Sequence, residues 1–431
     1  MNISSTTIGF TLVNLALLFI IGSSFTLKPL SSTRKVHQTA IYLSPEEDME
    51  LTRSMLMNIG SSNPSNPSNP SSSSSSLLVQ TLTSPSPSLP PPTWLFRQAG
   101  RHLPEYAAYK AEHGVNFLDM ISSPAHIAAC TLQPLQRYRN LDAAILFSDI
   151  LVIPEALGIE VTMPGGVGIQ VPDPLQSVEE VVAMTASIDA SGVDAVVDKL
   201  EYVMDGVRLI KSTMASSGLG QPLIGFSAAP YTLFYYMVGG TSKKNVDVGE
   251  HYMRTYPVES AALMSRLSSV VVEYLRRQRS AGCDLVQVFE AMGGTLEEGT
   301  FDGHVLPVLE GVGRKLEEKG VGPAMCFARG ACHANPRLGS AYDCVTVDTV
   351  TSAVDAQAAV GCAVQGGFDP AMLIGEDTEE SRGRIKEAVA KVLKDPEFKR
   401  GRYVANLGEG LGGKESTDLV QYFLDVVKGE A

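Results

Sequence analysis

Eight short β-rich runs, spaced by segments of helix length, constrain this chain more than any other feature. They occupy 93–97, 143–148, 222–228, 284–289, 324–328, 344–347, 362–367 and 403–408. Strand and helix patterns that alternate in this way ask for a parallel sheet, and eight of them match a closed barrel. Each run is dense in apolar residues instead of alternating, as strands covered on both faces must be. The expected fold class is α/β, a (β/α)8 TIM barrel forming a single catalytic domain over 93–431. An open doubly wound sheet is the alternative, but no G-x-G-x-x-G follows an early strand. Chemistry in such a barrel sits at the carboxyl ends of the strands. The polar residues just beyond each run are therefore the candidates: Arg97 with Gln98, Asp149, the stretch after Ser227, Glu290, Arg329, Asp348, Asp369 and Glu409.

The first 92 residues read differently. Residues 8–21 form an apolar run too short for a comfortable membrane span, which needs about 20 residues. Gly22, Ser23, Ser24 and Phe25 follow, in the layout of a signal-peptide cleavage region. From Phe25 to Ala40 the chain is rich in Ser and Thr, carries Lys28, Arg34 and Lys35, and has no acid, as a transit peptide does. Such a two-part leader over 1–40 resembles those of algae with secondary plastids, and the expected location is the plastid stroma. A plain secreted protein is the alternative. The mature protein is expected to have no stable membrane span. Residues 41–60 hold a helical pattern, clearest from Glu46 to Ile59, and 61–92 form a low-complexity Ser/Pro/Asn insertion, of which 61–76 and 82–92 are expected to build no core.

A formal net charge of -13 argues against nucleic acid as a partner, because phosphate binding needs clustered positive charge. It also means that any carboxylate-rich ligand must be met by a few arginines gathered in one place. The six cysteines, Cys130, Cys283, Cys326, Cys332, Cys344 and Cys362, lie scattered among apolar residues with no C-x-x-C pair. They read as buried reduced thiols in a reducing compartment, and no metal site is expected.

The segment from Trp94 to Tyr106, WLFRQAGRHLPEY, is the most specific stretch. Arg97 and Arg101 stand four apart after the first run, separated by Gln98, Ala99 and Gly100. Arginine offers a planar pair of donors that fits a carboxylate, which lysine does not. Gly100 lets the backbone approach a ligand or take a positive φ.

This R-Q-A-G-R-x-L-P-E-Y stretch resembles the signature of the uroporphyrinogen decarboxylase family. Two further segments resemble it as well: Phe147 to Leu151 (FSDIL), followed by Gly158 to Met163, and Ala229 to Met237 (APYTLFYYM). The likeness runs from Thr93 to Val427. It implies a cofactor-free carboxy-lyase that removes the four acetate carboxylates of uroporphyrinogen III as CO₂. The product is coproporphyrinogen III, on the way to heme and chlorophyll. It also implies that Arg97, Gln98, Ala99, Gly100 and Arg101 form a substrate-binding loop, with both arginines on substrate carboxylates. Asp149 is expected under the pyrrole nitrogens, and Tyr236 is expected to offer its phenol to a carboxylate. Asp149 and Arg97 are the implied catalytic residues, Arg97 as one candidate proton donor beside a water or a substrate carboxyl. A homodimer is implied too.

The pattern breaks in places. The family's serine after Phe-Glu is replaced by Ala291, and the histidine of its N-L-G-H-G by Glu409; Thr349 stands where a tryptophan is usual. A carboxylate about 5 Å from a substrate carboxylate repels it by roughly 3 kcal/mol at an effective dielectric of about 20. Glu409 escapes that either by holding a proton or by pairing with an arginine. An alternative reading is thus a catalytically weak or inactive porphyrinogen-binding paralogue. A methyltransferase on the same barrel would need a His-x-Cys zinc element, which the sequence lacks.

Overall fold

A computed structural model describes residues 76–84, 90–164, 168–241, 245–398 and 400–431. The expected leader, the helical segment over 41–60 and the run 61–75 lie outside the described residues. Seven strands form one parallel sheet in chain order: β1 (Ala144–Ile145), β2 (Leu223–Ala228), β3 (Leu285–Glu290), β4 (Ala324–Ala328), β5 (Cys344–Val347), β6 (Ala363–Gly366) and β7 (Tyr403–Val404). Every neighbouring pair is parallel. Helices connect them on the outside, the longest being Pro257–Ala281 between β2 and β3.

The remaining run, expected over 93–97, closes the ring with a single bridge between Thr93 and Ala405. The Trp94 amide donates to the Ala405 carbonyl at 3.3 Å, and the Ala405 amide to that of Pro92 at 2.8 Å. On the other side the Asp142 amide donates to the Thr93 carbonyl at 2.8 Å. Lys428, from the terminal helix Thr417–Lys428, latches this closure by donating to Asp142 Oδ2 at 2.6 Å and the Pro91 carbonyl at 2.9 Å. The strand is shorter than its apolar run because the chain turns at once: the Gln98 amide bonds back to the Leu95 carbonyl at 3.2 Å. The runs 143–148 and 403–408 extend past β1 and β7 and stay paired there: the Leu146 amide donates to the Ile224 carbonyl at 2.9 Å, and Leu407 bridges Phe368, whose carbonyl accepts from the Gly408 amide at 2.7 Å.

One expectation about 61–92 is corrected. Leu77–Thr83 is a helix, capped by Ser76 Oγ on the Val79 amide, with Leu78 and Leu82 buried. These two leucines stand four apart on one helical face, and that face covers β7. Ser and Pro crowd the sequence on both sides but not within LLVQTLT itself.

The barrel interior holds a polar knot that apolar patterning does not announce. Trp94 Nε1 donates to Gln365 Oε1 at 3.1 Å, and Gln365 Nε2 donates to Gln287 Oε1 at 2.7 Å and Thr346 Oγ1 at 2.8 Å. All four side chains are fully buried. Above it lies a layer of rings: Phe96 stacks on Phe327 with centroids 5.5 Å apart, and Phe289 meets both Phe96 and Phe226 edge-on. Phe96, Phe289 and Phe327 precede Arg97, Ala291 and Arg329 by one or two residues in the chain, so this apolar floor lies just beneath the residues of the mouth.

Candidate active site

Arg97 has a φ of 57°, an uncommon conformation for a residue with a side chain, and its side chain is exposed at the mouth. It lies along Gly410: a β-carbon there would stand 2.8 Å from Arg97 Cδ. Arg101 donates from Nη2 to the Gly412 carbonyl at 3.1 Å. One loop after β7 therefore seats both arginines, and it is held in turn by the Leu411 amide on the Phe96 carbonyl at 3.1 Å. Glu415 steadies it further by accepting from the amides of Gly412, Gly413 and Lys414. Gly100, between the arginines, has a φ of 143°, so its role is conformational freedom, with open space where a β-carbon would point.

Gln98 does not join them through its side chain. It is fully buried, donating from Nε2 to the Ala143 carbonyl at 3.1 Å and accepting from the Leu95 amide at 3.3 Å. Its amide group ties the first run to the strand beside it, which sets the turn that presents Arg97. Ala99 is half-buried against the core.

Asp149 follows β1 and stands half-buried, with Oδ1 accepting from the Leu151 amide at 2.8 Å. Burial pushes its carboxyl up to about 6, against the pull of the Leu151 and Ile150 amides and of the Arg97 charge. Tyr236 belongs to the helix Pro230–Gly239 and is half-buried. Burial raises its phenol, and so do Tyr235 and Asp149, while Arg97 and Arg329 lower it. The phenol thus shares one electrostatic environment with Asp149 and two arginines.

Glu409 and Arg329 form an ion pair, Oε1 to Nη2 at 2.5 Å, each side chain about half exposed. The carboxylate that replaces the family histidine is thus met by a cation. Glu290, at the end of β3, is fully buried and accepts from Thr232 Oγ1 at 2.6 Å, the Thr232 amide at 3.1 Å and the Met292 amide at 3.0 Å. Burial lifts it to about 7 despite those three donors. It fastens the start of the helix that carries Tyr236 to the loop that carries Ala291. Asp348 and Asp369 turn to their own loops, accepting from Thr351 and Ala371 amides at 2.9 and 2.8 Å, and act as caps. Sequence reasoning named Glu290 by its position after a run but had no signal for its fastening role, and none for the aromatic floor.

A basic rim, an acceptor-only carboxylate and an apolar floor suit a carboxylate-bearing ligand with apolar rings and N–H groups at its centre. The uroporphyrinogen decarboxylase family model matches residues 74–429. The chain belongs to this family. Among curated relatives, the uroporphyrinogen decarboxylase of Danio rerio is 36% identical over 345 residues, covering 78% of this chain and 88% of that protein. That of Francisella philomiragia is 34% identical over 341 residues, covering 78% and 94%. A solved methyltransferase from Methanosarcina mazei superposes with a TM-score of 0.64 at 13% identity, covering 83% of this chain and 99% of its own. That likeness carries the fold alone. The family match begins inside the expected 61–92 insertion, close to the helix Leu77–Thr83. Among the described residues, no helix is long and apolar enough to cross a membrane.

Proposed function

We propose that this chain is a uroporphyrinogen decarboxylase, converting uroporphyrinogen III to coproporphyrinogen III by four decarboxylations without a cofactor. The observation that carries the reading is Asp149, anchored by a backbone amide at the barrel mouth and subject to the Arg97 charge, while it acts in turn on the Tyr236 phenol. A pyrrole becomes an electron sink when a ring carbon is protonated. The acetate C–CO₂ bond then breaks, its electron pair flows into the ring, and the exocyclic carbon takes up a proton as the ring carbon gives one back. Each acetate so becomes a methyl group with the loss of one CO₂ and the net uptake of one proton.

Asp149 accepts the ring N–H bonds as a carboxylate and stabilises the cationic ring from a site already ordered before reaction. Arg97 and Arg101 hold substrate carboxylates, Tyr236 donates its phenol to another, and the Phe96, Phe289 and Phe327 rings support the face of the macrocycle. Arg97 is a candidate for the ring proton. Ion pairing of Glu409 answers the charge objection to an active enzyme. The proposal extends to import into a plastid by the 1–40 leader, to a place in chlorophyll as well as heme synthesis, and to a homodimer; the leader composition and the family resemblance support these. Anaerobic turnover of uroporphyrinogen, with products separated by carboxylate number, tests the function. Coproporphyrinogen formed by the wild type and lost in Asp149→Asn supports it. A folded protein that binds the macrocycle but releases no CO₂ overturns it.

A further inference from the structure

We infer that Arg329 is a third carboxylate-binding residue of this site and that Glu409 is its positioning residue. The inference rests on the function proposed above and deepens it. Arg329 is the first residue after β4, and its main chain is tied on both sides to the loop after β3. Its amide donates to the Glu290 carbonyl at 2.9 Å, and its carbonyl accepts from the Gly294 amide at 3.0 Å. Gly330 and Gly294 touch so closely that a β-carbon on Gly330 would stand 2.7 Å from Gly294 Cα. The base of the side chain is thus fixed beside Ala291, whose methyl offers no polar group to compete for it.

From there the side chain reaches Glu409, on the loop after β7 that also seats Arg97 through Gly410. β4 and β7 are three strands apart in the sheet, so this contact spans the mouth. It uses Nη2 alone. Nε and Nη1 have no hydrogen-bond partner among the described residues, and an arginine gripped at one nitrogen keeps donors for a second carboxylate. A half-exposed pair of this kind adds little to stability, so stability does not account for it. The charges of Arg329, Arg97 and Asp149 all act on the Tyr236 phenol. Arg329 in this way supplies donors at a mouth where Ala291 and Glu409 have none to give.

The test is steady-state kinetics of the full chain on uroporphyrinogen, with binding of the oxidised octacarboxylate, uroporphyrin, read by porphyrin fluorescence. Arg329→Ala is expected to raise KM and the uroporphyrin Kd at least about tenfold and to leave kcat within about threefold. Arg329→Lys, which keeps the charge without the fork, recovers part of the loss. Glu409→Gln raises KM severalfold in the wild type. In the Arg329→Ala background it costs nothing or improves binding, since a lone carboxylate there only repels. Unchanged KM and Kd in a folded Arg329→Ala overturn the inference, as does a Glu409→Gln effect of equal size in both backgrounds. Tighter binding by Glu409→Gln alone also overturns it, because Glu409 would then only screen the arginine. A wild type that neither binds nor turns over sinks the functional proposal along with it; a wild type that does both, beside an unaltered Arg329→Ala, sinks this inference alone.

Discussion

The side chain of Arg97 rests on Gly410, where a β-carbon would come within 2.8 Å of Arg97 Cδ and 3.0 Å of Cγ. The contact joins the first strand of the barrel to the loop after its last. It explains how a residue at positive φ keeps a defined aim: the loop opposite leaves one channel for it.

Gly410→Ala should therefore act on binding and leave the fold intact. The clash is with a flexible side chain, which moves aside at little cost, but the guanidinium then leaves its place. Loss of one charge-assisted hydrogen bond corresponds to about a tenfold rise in KM. Thermal melting and uroporphyrinogen kinetics on the same preparation check this; a lowered melting point with unaltered KM would contradict it.

Asp149 predicts an acid limb. Burial lifts its carboxyl to about 6, and only the ionised form accepts the pyrrole N–H bonds. In the free enzyme, kcat/KM should fall as pH drops through about 6. Asp149→Asn should lower kcat by about 100- to 1,000-fold at every pH, since an amide cannot balance a cationic ring. A profile flat from pH 7 to 5 would remove Asp149 from this role.

Glu290 makes a prediction about stability. Its folded-state value, about 7, lies above the ordinary glutamate value, so the folded protein favours the protonated form. The associated stability is fully present below about pH 4.5 and is lost as pH rises through about 7. Relative to Glu290→Gln, the wild type should lose on the order of 3 kcal/mol between those limits. Denaturant unfolding of both proteins from pH 4.5 to 8 measures the difference, and parallel curves would contradict the prediction.

Gln365→Leu should strand the Trp94 indole N–H and the Gln287 amide oxygen in a dry interior. The cost is about 2–3 kcal/mol, because a buried polar group without a partner forfeits its solvation. Trp94 is the sole tryptophan, so its emission reports the change directly alongside the unfolding midpoint.

The barrel was legible because its strands are buried on both faces and so appear as eight solid apolar runs. Run lengths were not: 93–97 shrinks to one bridge at Thr93, since the Gln98 turn competes with the ladder from Leu95 onward. The helix Leu77–Thr83 was hidden because its two buried leucines lie between stretches of Ser and Pro. At the site, Arg97, Arg101, Asp149 and Tyr236 came from local motifs. Gln98 sits in the same motif yet faces the barrel wall, because the turn back onto Leu95 and its bond to the Ala143 carbonyl, not spacing, decide which way its side chain points.

What the sequence alone determined is what local chemistry can encode: the eight-run alternation, the arginine loop, the aspartate after β1, and the positions where serine and histidine are missing. Tertiary structure decided what becomes of those two losses. Arg329 and Glu409 are 80 residues apart, and nothing in either segment points to the other. Closing the barrel brings the ends of β4 and β7 to one mouth, where opposite charges at contact distance in a partly desolvated cleft attract strongly enough to pair. Charge sign is written in the sequence; which charges meet is set by closure.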